Sequence, residues 1–233
     1  MAVCGARELM APGAVLLFDL DGTILDTTEL ILASFVYTFK EGLGETVSRE
    51  QILQHFGRSL DDQFRIMRPN LSGEEIDRLV ALYRKHNHAY HDQMIALIPG
   101  ADVALHQWAE QGVPMGVVTS KRLDMTKRGL QQYGLWSLFQ TVVHHDSTSR
   151  HKPDPEPLQC ALANLKARPE DTWYIGDSPY DMRAARAAQC EAVGFSYNTF
   201  KAEELVAAGA GHWVQSWSEL YSWWEINHHK SEG

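Results

Sequence analysis

Asp19 and Asp21 stand one residue apart, directly after the apolar run Val15-Leu16-Leu17-Phe18 and directly before Gly22-Thr23. Two carboxylates this close repel one another, so a cation or a shared proton is needed to hold both. Mg²⁺ is a hard cation that takes oxygen ligands, commonly one or two carboxylates together with phosphate and water. A carboxylate can also attack phosphorus and carry it covalently. Taken alone, such a pair is often a solvated turn. Its place at the end of a buried-type strand, with glycine next, points to chemistry instead.

Two further polar clusters follow the same plan, and a third lies in a loop. Thr119-Ser120-Lys121 closes the apolar run at 113–119, and Gly176-Asp177-Ser178-Pro179-Tyr180-Asp181 closes Thr172-Trp173-Tyr174-Ile175. Lys152 opens the loop Lys152-Pro153-Asp154-Pro155. Each has a bland alternative: Thr119 as a strand end, Lys152 as a surface charge, Asp177 and Asp181 as helix caps. Together those alternatives need independent accidents at every position.

The elements that must position these residues are legible too. Strands are expected at the three runs above and at 141–143, 192–195 and 212–214; helices at 102–111, 123–133, 155–165 and 181–188. Strands alternating with helices predict an α/β fold with a mostly parallel sheet, whose ligands bind beyond the carboxyl ends of the strands. Between 28 and 95 no strand pattern occurs, only helical spacing at 30–40, 49–56, 60–67 and 74–91. This stretch reads as an inserted α-helical cap domain, 27–97, against a core of 1–26 and 98–233. A mobile lid with joints near Asp26-Thr27 and Ile98-Pro99-Gly100 is expected, the alternative being a helical layer packed permanently on the sheet.

The 233 residues are 44% hydrophobic and carry a formal charge of −9. That charge argues against non-specific binding to nucleic acid or anionic lipid. It also requires a local positive centre to draw in an anionic substrate. Cys4, Cys160 and Cys190 are few and far apart, offer no disulfide framework, and fit a reducing cytoplasm. No apolar run approaches the roughly 20 residues of a membrane helix. The first 13 residues lack the apolar centre of a signal peptide, and 227–233 is expected to be unstructured.

The segment Asp19-Leu20-Asp21-Gly22-Thr23 resembles the first motif of the haloacid dehalogenase superfamily. Thr119, Lys152-Pro153-Asp154-Pro155 and Gly176 through Asp181 resemble its other three, in order. The resemblance implies a Rossmann-like three-layer α/β/α core with a mostly parallel sheet and a helical cap. It also implies Mg²⁺-dependent phosphoryl transfer through an aspartyl-phosphate on Asp19. Asp21 would be the general acid and base, and Lys152 would neutralise charge. Thr119, with the amides of Asp21, Gly22 and Ser120, would hold phosphoryl oxygens. The metal would be held by Asp19, the Asp21 backbone carbonyl and Asp177, with Asp181 in support. Ser120 stands where Asn often follows the second-motif Thr, and Gln189 where Gly often ends the helix after the fourth motif.

Finer similarity narrows the substrate. Leu17 through Phe39, Tyr83 through Asp92 and Lys152 through Gln159 are similar to the HAD-type inorganic pyrophosphatases of the PpaX group, close relatives of the phosphoglycolate phosphatases. Gly176 through Asp181 leans toward the latter. The expected activity is pyrophosphate hydrolysis. The alternatives are a phosphoglycolate or broad small-metabolite phosphatase, then a β-phosphoglucomutase-like isomerase or a non-catalytic scaffold. The implied partner is pyrophosphate or a small phosphorylated metabolite, with no nucleic acid or membrane, the chain acting as monomer or homodimer.

In the insertion, Arg58 of Gly57-Arg58-Ser59 is the candidate for reading a second anionic group, against a solvent-facing role. His86, His88 and His91, like His144, His145 and His151, lack a convincing zinc spacing and are expected to pack or face solvent. Trp213, Trp217, Trp223 and Trp224 are expected to belong to the core.

Overall fold

The structure, a computed structural model, describes residues 13–228. Its sheet is built around β1 (Val15–Phe18), whose four residues are all buried. A strand covered on both faces can be apolar throughout, which is why its sequence does not alternate. Then follow β2 (Leu25–Asp26), α1 (Thr28–Leu43), α2 (Arg49–Leu53), α3 (Leu60–Met67), α4 (Gly73–Met94) and β3 (Ala96–Leu97). The chain continues through α5 (Ala101–Glu110), β4 (Met115–Val118), α6 (Leu123–Gln132), β5 (Thr141–Val143), α7 (Glu156–Leu165) and β6 (Thr172–Gly176). It closes with α8 (Pro179–Ala187), β7 (Glu191–Phe195), α9 (Ala202–Ala207), β8 (His212–Val214) and α10 (Trp217–His228).

Six strands form one sheet in the order β5-β4-β1-β6-β7-β8, all pairs parallel. Phe18 lies level with Val117 on one side and Ile175 on the other. The register therefore brings Asp19, Thr119 and Asp177 out together at the carboxyl ends of three neighbouring strands. Alternation along β1 sends Leu16 and Phe18 into a cluster with Trp108 and Trp217. Val15 and Leu17 enter the opposite one with Leu158 and Met182. Burying both faces in this way is what fixes the register.

The helices between β2 and β3 pack around their own cluster of Phe35, Phe39, Phe64, Ile76 and Tyr83. Ser48, Ser59 and Ser72 cap α2, α3 and α4, each accepting a backbone N–H from the first turn. Helix α2 stops at Leu53, short of the expected 56, and the chain turns through Gly57 in a left-handed conformation, φ 88°. At the two crossings, where loose joints were expected, Leu25 pairs with Leu97 and Asp26 with Ala96 in a short antiparallel ribbon. Two-residue strands leave no periodicity to read.

Two other expectations are corrected. Asn227 belongs to α10 rather than to an unstructured tail, whose later part, like Cys4, lies outside the described residues. Of the tryptophans, Trp217 and Trp224 are buried and Trp223 is partly buried against the same core, stacked on His212, but Trp213 is 38% exposed on β8, an edge strand of the sheet. Gln189 takes up the left-handed position that glycine favours, φ 62°. Among the described residues, no helix is long and apolar enough to cross a membrane.

Candidate active site

Asp19 follows β1, Thr119 follows β4 and Asp177 follows β6, so three strand ends supply three of the expected residues. Lys152 arrives from the loop before α7 and Asp181 from the first turn of α8. Lys152 Nζ lies 2.9 Å from Asp19 Oδ1 and 2.6 Å from Asp181 Oδ1, with all three side chains buried. Carboxylate oxygens of Asp19, Asp177 and Asp181 fall within 4.8 Å of one another, the one metal-competent cluster among the described residues.

Three buried carboxylates face one ammonium, and the electrostatics record the imbalance. Burial pushes the Asp19 carboxyl up to about 7; Lys152 opposes the rise, while Asp181 and Asp21 add to it. Asp177 is raised well above the usual carboxylate range by burial, then by Asp181 and Asp19. Burial disfavours the Lys152 charge, but Asp181 and Asp19 outweigh it and hold the ammonium above the ordinary lysine range. An oxygen-rich site short of positive charge fits a hard divalent cation. The residues present therefore fit Mg²⁺.

Asp181 is fully engaged. Its Oδ1 accepts from Lys152 and lies 3.0 Å from the Tyr174 hydroxyl, and its Oδ2 accepts from Ser178 N at 3.0 Å and Ser178 Oγ at 2.5 Å. A carboxylate held on both oxygens suits support of the centre rather than direct ligation. Asp21 differs from the other aspartates. Its carboxylate is outside the cluster and accepts from Lys121 Nζ at 2.5 Å, which leaves its backbone carbonyl as the route to a metal.

Gly22 needs one correction. Its amide, expected to hold a phosphoryl oxygen, is donated to Leu25 O at 2.7 Å. Its value is spatial: φ is 83°, and a Cβ there would stand 2.1 Å from Asp177 Oδ2. Only glycine takes this turn and leaves room for the carboxylate.

Asp19, Asp21, Gly22, Thr119, Ser120, Lys152, Asp177 and Arg58 all border one cavity of about 150 Å³. Arg58 reaches it from the loop between α2 and α3, and Ser120 Oγ donates to Gly57 O of that loop at 3.4 Å. The histidines stay out of that lining. His86 stacks on Tyr37 and lies tilted against Tyr90, His91 is buried against Asp92, and His145 stacks on His151.

Several residues of the site were missed. Lys121 adjoins the Thr119 motif and was visible as such. Tyr174 sits inside β6, where an apolar run hides its hydroxyl, yet Lys152 donates to it at 3.0 Å. Arg84 and Asn87 enter the cavity from α4, inside the stretch Tyr83 through Asp92 whose likeness to the pyrophosphatases could have marked them.

Residues 16–195 match the family model of haloacid dehalogenase-like hydrolases, and the chain belongs to that family. It is a phosphohydrolase. The pyrophosphatase PpaX of Halalkalibacterium halodurans is 36% identical over 172 residues, 74% of this chain and 78% of that one. The pyrophosphatase PpaX of Listeria monocytogenes is 35% identical over 206 residues, 88% of this chain and 93% of that one. A hydrolase of Pseudomonas syringae shares the fold, with a TM-score of 0.83 over 94% of this chain and 98% of its own, at 23% identity.

Proposed function

We propose that the chain is a Mg²⁺-dependent phosphohydrolase that works through an aspartyl-phosphate on Asp19, with inorganic pyrophosphate as its substrate. The observation that carries the mechanism is the buried bridge from Asp19 through Lys152 to Asp181, with Asp177 alongside. The substrate rests on the likeness to the PpaX pyrophosphatases.

Asp19, Asp177 and the Asp21 carbonyl would hold Mg²⁺, which supplies positive charge to the phosphoryl oxygens. An Asp19 oxygen bonds to phosphorus as the bond to the leaving oxygen breaks, and Asp21 gives that oxygen its proton. Asp21 then takes a proton from the water that hydrolyses the acyl phosphate, which regenerates Asp19. Thr119 Oγ1 and the Ser120 amide hold phosphoryl oxygens, and Lys152 offsets the charge gathering around them. Residues 27–97 serve as the cap that closes over the reaction and keeps bulk solvent out while the attacking water is admitted. From that cap Arg58 binds the second anionic group of the substrate.

A second reading has its own support. Ile31, Phe56, Leu60 and Met125 also line the cavity, which suits an organic leaving group such as that of 2-phosphoglycolate. Phosphate release with Mg²⁺, compared across pyrophosphate, 2-phosphoglycolate and sugar phosphates by kcat/KM, separates the two. Preference for pyrophosphate supports the first reading and preference for 2-phosphoglycolate the second. No release from any of them overturns both.

A further inference from the structure

Arg58 is held in an unusual way for a guanidinium in a protein with a formal charge of −9. No carboxylate pairs with it among the described residues. Its Nε donates instead to the Tyr180 hydroxyl at 2.7 Å, and its guanidinium carbon lies 4.5 Å from the centre of the Tyr180 ring. The two terminal nitrogens have no partner among the described residues, and the side chain borders the cavity. A carboxylate anchor would neutralise the charge. A phenol fixes the side chain and leaves the charge available to an anion.

The anchor is itself well placed. Tyr180 is 8% exposed in the first turn of α8, between Asp177 and Asp181 of the acidic centre. The loop that carries Arg58 docks on the same turn: a Cβ on Gly57 would meet Ser178 Oγ at 2.4 Å and Tyr180 Cδ2 at 3.1 Å. Ser178 in turn donates to Asp181. One turn of helix therefore braces the acidic centre on one side and receives the substrate-facing loop on the other.

We propose that Tyr180 is a positioning residue for substrate recognition: it aims Arg58 at the second anionic group and sets the docked position of the Gly57–Arg58 loop. This rests on the reading of Arg58 given above. Tyr180→Phe keeps the ring and removes the acceptor, so the packing survives and the aim is lost.

The test is a set of kinetic measurements on Tyr180→Phe, Arg58→Ala and the double variant with pyrophosphate, 2-phosphoglycolate and p-nitrophenyl phosphate. For Tyr180→Phe, kcat/KM on the substrates with a second anionic group falls about tenfold relative to p-nitrophenyl phosphate, the scale of one charge-assisted hydrogen bond. The loss lies in KM, and it disappears when Arg58 is already alanine. Equal losses on all three substrates, or the same loss without Arg58, overturn the proposal. If Arg58→Ala discriminates and Tyr180→Phe does not, Tyr180 alone loses its role. If Arg58→Ala fails to discriminate, the reading of Arg58 falls and this inference with it.

Discussion

Lys121 Nζ lies 2.5 Å from Asp21 Oδ1, across 100 residues of chain. The contact ties the loop after β4 to the loop after β1, and holds the Asp21 carboxylate outside the Asp19–Asp177–Asp181 cluster. A general acid must be aimed as well as ionisable, and small misplacements are expensive. Lys121→Ala should lower kcat by roughly ten- to a hundredfold, since a 1 Å error of aim can cost about a hundredfold. Steady-state kinetics with an unchanged thermal melt would establish this; an unaltered kcat would remove Lys121 from the machinery.

Asp19→Asn should abolish turnover while keeping the fold. It should also stabilise the metal-free protein at alkaline pH. The Asp19 carboxyl is raised from 3.8 to about 7, chiefly by burial. Its contribution to stability is therefore fully present below the unfolded value and is lost as pH rises through the folded one. At pH 8 the wild-type protein bears that cost and the amide does not. Thermal melts without metal should show the variant ahead at pH 8 and the gap closing toward pH 4. Added Mg²⁺ should raise the wild-type melting temperature more at pH 8 than at pH 6, because protons compete for the same oxygens.

Gly57→Ala tests the docked loop. The residue has φ 88°, and an added Cβ would stand 2.4 Å from Ser178 Oγ and 2.8 Å from Ser178 Cβ. The loop must withdraw from α8, carrying Arg58 with it. A loss in kcat/KM of about tenfold or more is expected, in line with the cost of misplaced binding groups. Wild-type kinetics would mean that the loop need not dock for turnover.

Gln189→Gly should stabilise the protein by about 0.5–1 kcal/mol, because a side chain in the left-handed region costs roughly 1–2 kcal/mol and glycine returns part of that gain as chain entropy. The Gln189 side chain is exposed and the turn is already closed by Cys190 N donating to Ala185 O at 2.9 Å, so nothing else changes. Chemical denaturation should show the higher midpoint with kinetics untouched.

The centre of the sheet was readable because buried parallel strands announce themselves as apolar runs, and all six expected strands formed, the half-exposed edge strand β8 included. Asp19, Thr119 and Asp177 were readable because a strand end followed by polar residues is a local pattern, and Lys152 because the loop Lys152-Pro153-Asp154-Pro155 resembles a family motif. What escaped was non-local. Tyr180 meets Arg58 across 122 positions and Lys121 meets Asp21 across 100, and no window of sequence contains either pair. The Gly22 amide was assigned to phosphate because its partner, Leu25 O, depends on a turn that residue types alone do not specify.

The antiparallel pairing of Leu25 with Leu97 and Asp26 with Ala96 has a further consequence. The outgoing and returning chains cross side by side, so the covalent connection of the helical part to the sheet is one narrow isthmus, and its remaining links are non-covalent contacts such as Arg58 with Tyr180 and Arg128 with Asp92. No strand of the six-stranded sheet lies between the two crossings, so a change of chain length in the helical part falls outside every strand of that sheet. Changes there leave Asp19 and Asp177 at their strand ends and Asp181 in the first turn of α8.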